Sequence, residues 1–342
     1  MQQGHQTWVF NNRPVIASTA AVVGPFEGRG PLANDFDLIH GDSTLNQESW
    51  EKAEKVLFED AAQLAIEQAG LLKEQIDFFI GGDLMNQIIS TSYAARTLSI
   101  PYLGVFGACS TSMESLALAA YLVNTRGGKN VLAGTCSHNS TAEKQFRYPT
   151  EYGSQKPPYA QYTVTGAGAA VVSSKGKGPV ITSATMGRVI DMGIKDPFNM
   201  GAAMAPAAVD TITAHFRDLR IGPEEYDMIV TGDLAQVGHG LARDLFEKHG
   251  IPIHKTDFQD CGMMIYDYNT QMVQAGGSGC ACSAVVTYGH LMKRMNRGEI
   301  RKLLVVATGA LMSPLAMQQG ESIPAIAHAV SIHYDDETMK GG

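Results

Sequence analysis

Apolar residues fall along this chain in two alternating kinds of run. Residues 50–69 carry them at helical spacing, with charges on the intervening positions, and predict an amphipathic helix. Shorter apolar runs of strand length follow. Ile76-Asp77-Phe78-Phe79-Ile80-Gly81-Gly82-Asp83-Leu84 is the first, and Tyr226-Asp227-Met228-Ile229-Val230-Thr231-Gly232-Asp233-Leu234 repeats its character in the second half. Both end in Gly-Asp-Leu. Each follows a helix-like segment (50–69 and 207–219) and precedes a second strand-like run, Ile100-Pro101-Tyr102 or Ile251-Pro252-Ile253.

A turn of small residues then leads into a long apolar helix in each half. The first is Gly107-Ala108-Cys109-Ser110-Thr111-Ser112, and the second is Gly276-Gly277-Ser278-Gly279-Cys280-Ala281-Cys282-Ser283. Apolar strands at 130–134 and 302–309 follow these helices. Strand, helix, strand, stated twice, predicts an α/β fold with parallel or mixed sheets covered by helices. We place the two related halves at 1–175 and 176–342. Residues 135–161, rich in Gly and polar side chains, read as a long functional loop, and 164–173 as the strand that follows it.

The helix after Cys109 is apolar on nearly every face, so it is expected to be buried all round. Thr111 and Glu114 fit a capping box at its start. A thiol in the first turn of such a helix sits at the positive end of the macrodipole, which favours thiolate or a bound anion. Its plain alternative is a small packed residue in a tight turn. Cys280 and Cys282 read as packing residues, since with no second pair they make a poor zinc site.

Composition narrows the classes. With 26 Lys+Arg against 34 Asp+Glu the net charge is −8 and no basic cluster stands out, which argues against nucleic-acid binding. No stretch reads as a transmembrane helix or a signal peptide. An odd count of 5 cysteines favours a reducing compartment and free thiols.

The duplicated plan, the cysteine-led helix, the strand Val164-Thr165-Gly166-Ala167-Gly168-Ala169-Ala170-Val171-Val172 and the segment Val305-Val306-Ala307-Thr308-Gly309-Ala310-Leu311 resemble the thiolase and β-ketoacyl synthase superfamily. That resemblance implies a five-layer αβαβα fold built from two duplicated halves. Longer strings, among them Phe106-Gly107-Ala108-Cys109-Ser110-Thr111-Ser112-Met113-Glu114, Gln145-Phe146-Arg147-Tyr148-Pro149 and Gly82-Asp83-Leu84-Met85-Asn86-Gln87, are similar to a sporulation branch of that superfamily, the stage V proteins of spore-forming bacteria.

Enzymes of the superfamily set a nucleophilic cysteine beside two histidines, or a histidine and an asparagine. One partner is expected just after Thr231-Gly232-Asp233, where no histidine stands; His239 comes six residues later. The other is expected within residues 275–285, which contain neither His nor Asn. The resemblance therefore implies a fold that has lost condensation chemistry and kept its cavity. The alternative is an acyltransferase that still uses Cys109.

The sporulation branch implies dipicolinic acid as ligand, free or as its calcium chelate, with no resident cofactor or structural metal. It further implies membrane-embedded stage V partners, a peripheral place at the spore inner membrane, and a homodimer. The residues expected at the ligand are Cys109, Ser110, His138, Arg147, Asp233, Gly277 and Ser278. Arg147 either grips a carboxylate in bidentate fashion or pairs with Glu143 or Glu151. Asp233 either offers oxygen to calcium or caps the next helix, as Asp83 is expected to do. His138 either faces the cavity or satisfies a backbone group.

Overall fold

The computed structural model describes residues 1–146 and 156–334. Its first half contains β1 (Val15–Val23), α1 (Trp50–Gln68), β2 (Phe78–Asp83), α2 (Ile89–Leu98), β3 (Tyr102–Gly104), α3 (Thr111–Asn124), β4 (Asn130–Ser137), α4 (Asn139–Phe146) and β5 (Gly166–Ser173). The second contains β6 (Val180–Thr185), α5 (Met200–Leu219), β7 (Met228–Thr231), α6 (Ala235–Lys248), β8 (Asp257–Asp260), α7 (Cys280–Val285), β9 (Lys302–Ala310) and β10 (Ala325–His333). Beyond α7 the helix runs through a π turn at Val286–Leu291 into Met292–Asn296.

The strands form one path, β3-β2-β4-β5-β1-β6-β10-β9-β7-β8. Read inward from either edge the order is the same: third, second, fourth, fifth, first. Strands β2, β3 and β4 are mutually parallel, as are β7, β8 and β9, while β5 and β10 run antiparallel to their neighbours. Where the halves meet, β1 and β6 share a single residue pair, Val15 with Val180. The path is therefore two five-stranded arrays that meet at β1 and β6, and the N-terminal strand Thr7–Val9 reinforces the junction by pairing with β6 at Ser183, Ala184 and Thr185.

Helices separate the arrays into layers. Helix α1 starts at Ser49, whose side chain accepts from the Lys52 amide, and buries Leu57, Phe58, Ala61, Ala65 and Ile66 against β1, β4 and β5. Helices α3 and α7 fill the middle. Helix α3 touches β2, β4 and β5 on one side and β9 and β10 on the other, which small residues at Ala117, Ala119 and Ala120 permit. Helices α5 and α6 cover the far side of the second array. The result is the five-layer αβαβα arrangement.

Three local expectations are corrected. The strand expected at 251–253 lies at Asp257–Asp260; Pro252 has no amide to donate to a ladder, and a 3-10 turn at Ile253–Lys255 intervenes. The supposed loop 135–161 holds the end of β4 and the whole of α4. The capping box before α3 does not form. The Thr111 hydroxyl instead accepts from the Gly107 amide at 3.1 Å and donates to the Ala108 carbonyl at 2.7 Å, and Glu114 Oε2 is buried with no partner among the described residues.

Candidate functional site

Cys109 sits in the turn that opens α3, where the two halves converge. The preceding Ala108 has φ of +50°, an uncommon value for a residue with a Cβ. The end of β9 supports this turn at very close range: a Cβ built on Gly309 would lie 2.2 Å from the Gly107 carbonyl oxygen and 3.2 Å from the Cys109 amide nitrogen. Gly309→Ala should therefore cost about 2 kcal/mol by overpacking. Urea unfolding of the variant measures it, and unchanged stability would mean the turn gives way freely.

The Cys109 side chain faces Asp233. Burial, and after it the negative charge of the neighbouring Asp233 carboxylate, pushes the thiol well above its ordinary range. Asp233 is itself held on every side. The Thr308 hydroxyl donates to Oδ1 at 2.6 Å, and Ser278 Oγ and the Gly279 amide donate to Oδ2 at 3.2 and 3.1 Å. Burial still outweighs these bonds and raises its carboxyl to about 6.

The position of Asp233 follows from its neighbour Asp260. Strand β7 ends at Thr231, and the next helix, α6, needs its first amides satisfied. Asp260, at the end of β8, does this: its Oδ2 accepts from the Leu234 amide at 2.8 Å and from Thr231 Oγ1 at 2.7 Å, and its Oδ1 accepts from the Ala235 amide at 2.9 Å. Asp233 is thereby released from capping and turned toward the thiol. In the first half the repeat mate Asp83 makes the cap itself, accepting from the Met85 and Thr91 amides at 2.9 and 2.8 Å.

The remaining expected residues divide. Ser278 joins Cys109 at the wall of a small chamber of about 30 Å³, with Leu84, Phe106, Ala142, Phe146 and Met312 completing much of it. By this measure a water needs about 10–15 Å³, so the chamber holds about two waters and no aromatic ring. Ser110 does not face it; its hydroxyl donates to the Gly107 carbonyl at 2.6 Å within its own turn. Gly277 pairs with Tyr162 and lies against Ile265 and Cys282.

His138 is also elsewhere. Its Nε2 meets the Ser43 carbonyl at 2.9 Å, its Nδ1 accepts from the Ser140 amide at 3.0 Å, and its ring packs on Trp50. It satisfies backbone groups. His239, too, serves the backbone, at the Phe258 carbonyl. Arg147 lies outside the described residues, and Glu143, one partner suggested for it, pairs with Lys156 at 2.7 Å. No histidine, asparagine, lysine or arginine lines the chamber among the described residues.

Beyond the chamber lies a groove of about 390 Å³ that the sequence did not reveal. It is lined by Asn86, Gln87, Gln145 and Ser313 among others. Leu84, Phe106, Phe146 and Met312 line both spaces and form the partition between them.

A duplicated five-layer fold with a cysteine at the head of its central helix defines a thiolase-like protein. Solved structures agree across nearly the whole chain. Against 3-oxoacyl-[acyl-carrier-protein] synthase III from Aquifex aeolicus the TM-score is 0.59 at 17% identity, covering 94% of this chain and 100% of that one. A variant of Xanthomonas campestris OleA gives 0.60 at 15% identity, covering 96% and 100%. Human mitochondrial 3-ketoacyl-CoA thiolase with CoA gives 0.55 at 13%, covering 96% and 99%. Within that fold the chain belongs to the stage V sporulation protein AD family, whose sequence model matches residues 4–333. It is 52% identical over 327 residues to stage V sporulation protein AD of Bacillus subtilis (strain 168), covering 96% of each chain. Among the described residues no helix is long and apolar enough to cross a membrane.

Proposed function

We propose that this protein is a non-catalytic, thiolase-fold binder of dipicolinate or its calcium chelate that serves uptake into the developing spore and release at germination. The observation that carries the loss of catalysis is the carboxylate of Asp233 set against the Cys109 thiol. A catalytic imidazole would take the thiol proton and leave an ion pair of opposite charges. Asp233 opposes the thiolate with like charge, and no imidazole reaches the sulfur among the described residues.

The groove supports the ligand. Its volume of about 390 Å³ falls within the range usual for small-molecule sites. Phe106 and Phe146 offer faces to a pyridine ring, and the exposed amides of Asn86 and Gln87 offer donors to carboxylates. The neutral 1:1 calcium chelate suits this setting better than the free dianion, because the buried carboxyl of Asp83 lies directly behind the groove's lining, bonded to the Met85 amide. The protein would act peripherally at the spore inner membrane, as a homodimer, beside membrane-embedded stage V partners.

Isothermal titration with dipicolinate, with and without equimolar calcium, tests the ligand. Heat of binding is expected in the micromolar range and stronger with calcium; silence in both arms at high micromolar ligand would overturn it. The retained cysteine sustains the acyltransferase alternative. An acyl-CoA that leaves a stoichiometric adduct on Cys109, absent in Cys109→Ser, would establish that instead.

A further inference from the structure

Chamber and groove are separated by a thin wall, and α4 forms one side of it. Ala142 and Phe146, one helical turn apart, both face the chamber, and Phe146 faces the groove as well. The two ends of this helix are held very differently. At its start Thr141 donates to the fully buried Glu54 carboxyl, and the Asn139 amide donates to Thr165 Oγ1 at 3.0 Å. His138, just before it, is fixed on Ser43. The first of these ties is buried, the other two partly so, and their partners come from three separate segments.

Near the other end, among the described residues, one side chain ties the helix to the strip at Leu84–Asn86. Gln145 Nε2 donates to the Leu84 carbonyl at 2.9 Å, and Gln145 Oε1 accepts from the Asn86 amide at 2.9 Å. A single planar amide thus clamps α4 to the strip that carries Leu84, and its two bonds form and break together. The strip itself is in an uncommon conformation: Gln87 and Ile88 have φ of +56° and +47°, and left-handed backbone is costly for a β-branched residue. The other ties here, Glu143 to Lys156 and Lys144 to Glu51, are partly exposed ion pairs of small weight.

We propose that α4 is a hinged wall, anchored at Glu54 and Thr141, and that Gln145 is the latch that holds it shut. With the latch closed, the space at Cys109 admits about two waters. With it open, Phe146 withdraws and the chamber joins the groove. This deepens the ligand reading above by naming what admits a larger molecule to the thiol. Its test reads thiol access alone, so it can fail while dipicolinate binding stands, and the reverse.

The test is residue-resolved labelling of the full chain with N-ethylmaleimide, followed by mass spectrometry. Gln145→Ala is expected to speed labelling of Cys109 about tenfold, the order set by losing one or two net hydrogen bonds. Cys136, Cys261 and Cys282, buried in apolar clusters that Phe146 does not join, should keep their native rates, whereas Cys280 packs beside Cys109 and Phe146 and is no control. Gln145→Glu retains the acceptor for Asn86, loses the donor to Leu84, and should fall between. Lys144→Ala, which removes only the pair with Glu51, should change nothing. The proposal is overturned if Cys109 in Gln145→Ala keeps its native rate, if Lys144→Ala matches it, or if all the cysteines speed up together.

Discussion

Replacing Asp233 with asparagine should make Cys109 react with iodoacetamide about tenfold or more faster at pH 8, since a like charge at contact range suppresses ionisation by at least that order. Burial remains in the variant, so the thiol stays less reactive than a free one. What the substitution removes is the carboxylate that opposes the thiolate. The sign has a pH signature. Asp233 ionises at about 6, so below that value it is neutral, and the native protein and Asp233→Asn should react alike. Above it the two should diverge. Asp233→Glu keeps the charge and should stay slow. Labelling rates from pH 5 to 9 for all three proteins decide the matter. Equal rates throughout would mean that Asp233 does not hold the thiol neutral and is no bar to catalysis at Cys109.

That carboxylate was visible in the sequence; its direction was not. The Gly-Asp-Leu repeat places Asp83 and Asp233 at matching strand ends, and capping is a sound expectation for both. One caps and the other does not because Asp260, on the neighbouring strand, takes over the cap of α6. No local pattern reports a cap supplied by a neighbouring strand. Helix α1 was legible because its apolar spacing is regular, and the burial of α3 because it lacks a polar face. Helix α4 was hidden because its exposed face is polar and its start is tied down by tertiary bonds from Glu54 and Thr165. Its Gln145 had no signal of its own, since both partners lie some 60 residues earlier. The same limit explains Ser110 and His138: residue type suggested a ligand, whereas each spends its polar atoms on nearby backbone.

Raising the pH from 4.5 to 8 should weaken the fold, and Glu27 should account for about 3 kcal/mol of the loss. Glu27 is fully buried at the junction of the halves. Its Oε1 accepts from the Tyr266 hydroxyl at 2.6 Å and the Thr165 amide at 3.1 Å, while Oε2 has no partner among the described residues. Burial raises its carboxyl from 4.5 to about 7. A raised acid keeps its proton longer when folded. Its contribution is full below pH 4.5, falls as pH climbs, and is gone above about 7. A separation of about 2.5 pH units at 1.36 kcal/mol each gives the figure of about 3 kcal/mol. Glu27→Gln resembles the protonated acid in shape and charge at every pH. Stability relative to the native protein should therefore rise by about 3 kcal/mol between pH 4.5 and 8, while the titrations common to both proteins cancel. Urea unfolding of the two proteins at several pH values supplies that difference. A difference flat with pH would show that Glu27 is as ionised in the folded chain as in the unfolded one, and that its clasp on Tyr266 and Thr165 is made by a solvated carboxylate.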